Sequence, residues 1–108
     1  MKTLLLSAPR DKDSASNLHR TFESILASHI GPDYAIYRNL VSEIATGMKV
    51  VVFDRTARRQ AEGAVESLNA TVNKTAGGVL RYNVHIRNLQ VVQYTNPPNV
   101  NRCGVNIV

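Results

Sequence analysis

Residues 80–87 read Leu80-Arg81-Tyr82-Asn83-Val84-His85-Ile86-Arg87, with apolar and polar side chains in strict alternation. Successive side chains of a strand point to opposite faces, so this run has the pattern of a half-buried β-strand. Leu80, Tyr82, Val84 and Ile86 then face a core, and Arg81, Asn83, His85 and Arg87 face away from it. A helix would need apolar residues three and four apart, which this run lacks. The alternation slips at Asn88-Leu89, and a slip of phase predicts a bulge or bend.

A second β unit lies upstream. Gly47-Met48-Lys49-Val50-Val51-Val52-Phe53-Asp54 leads into Arg55-Thr56-Ala57-Arg58-Arg59, and Gln60-Ala61-Glu62-Gly63-Ala64-Val65-Glu66-Ser67-Leu68 follows. This predicts strands over 48–54 and 60–68, joined by a turn that carries three arginines. Glycine weakens a strand, so Gly63 marks a bend, a bulge or the close approach of another backbone.

The remaining segments fit around these strands. Residues 2–7 have the length of a buried strand. Leu18, Phe22, Ile25 and Leu26 recur at helical spacing and predict an amphipathic helix over 14–30. Asp13 or Ser14 is expected to cap its start, and Gly31-Pro32 to end it. Residues 34–41 are expected as a strand, 69–78 as a turn-rich connection with the reversal at Gly77-Gly78, and 79–94 as the longest β segment. After an Asn/Pro loop over 95–102, Cys103, Val105 and Ile107 alternate as a closing strand or C-terminal arm. Strand, helix, then consecutive strands is the order of an α+β domain. The expectation is a single domain: one N-terminal amphipathic helix on a curled, mostly antiparallel sheet or small pseudo-barrel.

Composition narrows the function classes. The chain has 108 residues, 13 basic against 8 acidic, and a formal net charge of +5. Arginine outnumbers lysine among the bases, and its planar fork suits phosphate and base stacking better than an ammonium does. That balance points to an anionic partner, nucleic acid first. With no Trp, two Phe and four Tyr, a broad aromatic stacking platform is excluded. A lone Cys103 forbids an internal disulfide and suits a reducing, cytoplasmic setting. The apolar start, Leu4-Leu5-Leu6, is too short for a secretory signal, whose core runs roughly 7–15 apolar residues. No run approaches the roughly 20 apolar residues of a membrane span.

Catalytic patterns are missing. There is no Gly-rich nucleotide loop, nucleophile elbow or Cys-x-x-Cys. Cys103 in an alternating segment reads as a small packing residue. His19, His29 and His85 lie on different elements without a carboxylate at ligand spacing, so no metal or other cofactor is expected. The chain is therefore read as a non-catalytic binding module.

The candidate contacts are the clustered cations. Arg55, Arg58 and Arg59 belong to one turn, Arg81, His85 and Arg87 to one strand face, and Arg10 and Arg20 flank the predicted helix start. Converging, they would track a phosphate backbone. Tyr37 and Asn39 share a face of the strand expected over 34–41, where an aromatic beside an amide can stack on a base and bond its edge.

The stretch Tyr34-Ala35-Ile36-Tyr37, Gly47-Met48-Lys49-Val50-Val51-Val52-Phe53 and Gln60-Ala61-Glu62-Gly63-Ala64-Val65 resembles the PUA-like superfamily, including its EVE and ASCH groups, over 34–86. The resemblance implies a small pseudo-barrel that binds RNA or DNA, including modified bases, in a cleft between helix and barrel. The absence of Trp departs from the EVE pattern and speaks against an aromatic cage. The competing expectation is a structural or interaction subunit: a homo-oligomer or larger assembly of viral or phage type, joined through the C-terminal arm by strand addition. A small inhibitor of a host nuclease would have the same sequence character.

Overall fold

A computed structural model describes residues 2–8 and 21–108. Six strands form one sheet: β1 (Thr3–Ser7), β2 (Ile30–Ala35), β3 (Lys49–Asp54), β4 (Arg59–Lys74), β5 (Leu80–Val92) and β6 (Val105–Ile107), in the order β2-β5-β4-β3-β1-β6. Every neighbouring pair is antiparallel except β1 with β3. The sheet curls into an open half-barrel, with β2 and β6 as its edges. Two short helices accompany it, α1 (Phe22–Ser28) and α2 (Arg38–Val41).

Strand register sorts the side chains. On the concave face, Leu4, Leu6, Val50, Val52, Ala61, Val65, Val84 and Ile86 form the main core with Phe22 and Ile25 of α1 and with Tyr34 of β2. On the opposite face, Leu5, Val51 and Phe53 make a second, smaller core under Tyr94 and Val100. Residues 93–104 run across this second face as a strap. Three hydrogen bonds from Arg55 hold it: Nη1 donates to Asn96 Oδ1 at 3.0 Å, and Nη2 donates to the carbonyls of Pro97 at 2.9 Å and Pro98 at 3.3 Å. The buried Gln60 Oε1 accepts from the Thr95 amide at 2.9 Å. The strap then turns at 101–104 and returns as β6 alongside β1, so the C-terminal strand pairs within its own chain.

The long β segment, the slip at Asn88 and the Gly77-Gly78 reversal appear where the pattern placed them. Asn88 has φ 58°, and the β4–β5 register shifts between Glu62 and Ala64. Gly63 lies at that shift. A Cβ there would stand 2.7 Å from the Arg87 carbonyl oxygen and 2.7 Å from Ile86 Cγ2, so the close approach is real.

Four assignments change. Thr21 is extended and its Oγ1 accepts from the Ser24 amide at 3.1 Å, so α1 starts at Phe22, and residues 14–20 of the expected helix lie outside the described residues. The expected caps Asp13 and Ser14, and Leu18 of the expected apolar face, lie outside the described residues. The helix stops at His29, whose φ of 60° supplies the left-handed cap, while Gly31-Pro32 belongs to β2. The strand expected over 34–41 ends at Ala35, and Arg38–Val41 is a helical turn that brings Leu40 and Val41 against the core. β4 continues through Lys74 instead of ending at 68, because its polar outer half is held by backbone pairing with β5 rather than by burial.

Candidate nucleic-acid interface

The hairpin between β3 and β4 carries Arg55, Arg58 and Arg59 at one end of the sheet. The strap turn beside Ser7, with the exposed Arg102, stands at the same end. The three hairpin arginines have different work. Arg55 lies 5.0 Å from the centroid of the Phe53 ring and spends its N–H groups on the strap. Arg59 covers the ring of Phe22 at 4.6 Å on the helix side and pairs with Glu23 Oε1 at 2.7 Å. Arg58, at φ 55°, stacks over the Tyr94 ring at 5.2 Å and makes no hydrogen bond or ion pair among the described residues. Its fork stays available while its Cζ rests over the ring.

The face that carries the strap continues down the sheet as an open polar surface. Lys49 stands opposite Ala64, and Ala64 opposite Arg87, so Lys49 and Arg87 share the face of Val51 and Phe53. His85, two residues from Arg87 on the same strand, points the same way. Lys49 is tied to Glu62 at 3.2 Å. Arg87 is exposed and has no carboxylate partner among the described residues. Arg58, Arg87 and His85 are therefore brought to one face with Arg55, whereas Arg59 sits on the other.

Arg81 is taken out of the set: its Nη1 donates to the Asp33 carbonyl at 2.8 Å and pins the irregular middle of β2. Arg10 and Arg20 lie outside the described residues. Tyr37 and Asn39 do not form the expected pair. Tyr37 is the N-cap of α2 and Asn39 lies in its first turn, and residues two apart on a helix do not face each other. Tyr37 is instead 38% exposed and lines a groove with Arg38, Tyr82 and the Gly77-Gly78 turn, at the opposite end of β5 from the arginine hairpin.

Sequence reasoning missed Lys49 and Arg38, and it counted Tyr94 among the tyrosines able to stack without linking it to Arg58. The phase of Lys49 with Val51 and Phe53 was the available signal for the first. Nothing in the alternation marks Tyr94 as the support of Arg58, and the helical turn that displays Arg38 has the sequence pattern of a strand. Among the described residues there is no group of three His, Cys, Asp or Glu that could hold a metal ion, and no helix long and apolar enough to cross a membrane. No family model, curated protein or solved structure matches the chain.

Proposed function

We propose that this chain is a non-catalytic nucleic-acid-binding module that tracks a phosphate backbone with the strap-bearing face of its half-barrel. The observation that carries the reading is the pair Arg58 and Arg87. Both stand on that face, both lack a carboxylate partner among the described residues, and Arg58 is braced on Tyr94. Arg55, Lys49 and His85 add positive charge or donors around them. An arginine whose fork is not spent on a carboxylate can take a phosphate without losing another partner, and the net charge of +5 draws the polyanion in. Arg59 and Arg81 support the architecture instead, through Glu23 and Asp33. The PUA-like resemblance is consistent with the same function class.

The test is a binding panel of single- and double-stranded DNA and RNA, with and without modified bases, at two salt concentrations. Binding that weakens steeply with salt is expected, with a log–log slope near −0.7 per phosphate contact on single strands. Failure of every ligand at low salt would remove the reading and leave the assembly or inhibitor role.

A further inference from the structure

The α2 turn and the Gly77-Gly78 reversal flank a groove of about 480 Å³. Its lining joins two tyrosines, Tyr37 and Tyr82, to Leu80, Arg38 and the two glycines. The volume falls within the range of small-ligand sites, roughly 300–1,000 Å³. Arg38 is the charged residue of the lining, and it has no carboxylate partner among the described residues. The combination of aromatic rings and an unpaired guanidinium matches a base together with its phosphate. An aliphatic partner would leave the guanidinium unmatched.

Gly77 adds a separate observation. Its φ is not in the left-handed region, and a Cβ there would meet nothing closer than Thr75 Oγ1 at 3.9 Å. Neither conformation nor packing requires a glycine at this position. Gly77 lines the groove and adds no side chain to it. Gly78 differs, because its φ of 84° is needed for the turn.

We propose that this groove takes one unpaired nucleotide of a single strand, with its base against Tyr37 and Tyr82 and its phosphate on Arg38. The proposal rests on the nucleic-acid reading and deepens it: the module holds a strand by phosphate contacts at the arginine face and selects unpaired over paired bases at the groove. A base inside a duplex cannot offer its face to a tyrosine.

The experiment uses the full chain and three probes: a trinucleotide, a single-stranded 12-mer and the duplex of that 12-mer. Binding of the trinucleotide is followed by amide shifts, and binding of the longer probes by anisotropy. The trinucleotide is expected to shift the amides of Gly77, Gly78 and Leu80. Tyr37→Ala should weaken the trinucleotide and the single strand by roughly 5- to 150-fold, the range for one lost stacking contact, and leave the duplex unchanged. Tyr37→Phe should restore both. Gly77→Val should weaken the single strand in a protein whose melting temperature is kept. Arg58→Ala should leave the trinucleotide unaffected and weaken the 12-mer. If the 12-mer binds in an Arg58-dependent way while the trinucleotide leaves the groove amides unmoved, the groove proposal is overturned and the wider reading stands. Equal weakening of single strand and duplex by Tyr37→Ala overturns it as well. If wild type binds none of the probes at low salt, both fall.

Discussion

The hydroxyl of Tyr34 on β2 donates to the backbone carbonyl of Ser7 on β1 at 2.8 Å. In the sheet these strands are separated by β5, β4 and β3, so the bond spans the concavity and ties one side of the half-barrel to the other. Tyr34 is fully buried, with Gly31 and Leu6 packed near its ring. Tyr34→Phe keeps the ring and removes the tie, leaving a carbonyl without that donor. The expected cost is about 1–2 kcal/mol. For a domain of this size that lowers the melting temperature by roughly 4–8 °C per kcal/mol. An unchanged thermal melt would show that the curl holds without the bond.

Gly63 and Gly78 separate two reasons for glycine. At Gly63 a Cβ collides with the Arg87 carbonyl and the Ile86 side chain, and the obstacle on one side is backbone. Gly63→Ala should therefore cost about 1–3 kcal/mol or more, by overpacking between β4 and β5. Gly78 has open space around it and a φ of 84°, so Gly78→Ala meets backbone strain alone, about 1–2 kcal/mol. Chemical denaturation of the two variants compares them. A Gly63→Ala protein as stable as wild type would refute the close packing.

Much of this fold can be read from the chain, for a definite reason. Alternation reports burial on one face and a short apolar run burial on both: the inner half of Leu80–Val92 turns one face to the main core, and Lys49–Asp54 sends Val50 and Val52 to that core and Val51 and Phe53 to the second. The outer half of β4, Asn69-Ala70-Thr71-Val72-Asn73-Lys74, is strand by pairing alone, and its polar sequence looks like a loop. The helical turn at Arg38–Val41 was hidden because Tyr34 and Ile36 alternate like a strand and both are buried. The site was less legible. Three arginines in one turn can be counted from the sequence, but which of them is engaged depends on Glu23, Asn96 and Tyr94, distant partners that only the fold brings up.

The strap is held by Gln60, so its loss should loosen the strap before it unfolds the domain. Gln60 Oε1 accepts from the Thr95 amide at 2.9 Å and from the Thr95 hydroxyl at 3.1 Å. Gln60→Leu fills similar space and leaves that amide without its acceptor, at a cost of about 1–3 kcal/mol. Hydrogen exchange should show the Thr95 amide losing protection while Val50 and Val52 keep theirs. Retained protection at Thr95 would contradict the anchoring role.

Glu23 neutralises Arg59 in an exposed pair, and such pairs contribute about 0–1 kcal/mol. Glu23→Gln should leave stability nearly unchanged. Arg59 stands on the face opposite Arg58 and Arg87, so the salt dependence of single-strand binding should keep its slope in this variant. A slope steeper by about 0.7 would put the released Arg59 in the path of the strand and contradict that placement.

The most direct measurement is the salt dependence of single-strand affinity for wild type and for the Arg58→Ala, Arg87→Ala double variant. Both arginines are exposed and have no carboxylate partner among the described residues, so the variant should melt close to wild type, losing at most the contact of Arg58 with Tyr94, about 0.5–1 kcal/mol. Two lost contacts should flatten the log–log slope by about 1.4 and weaken binding at low salt. An unchanged slope in a well-folded variant would contradict the account, because the strand would then be held by some surface other than the strap-bearing face.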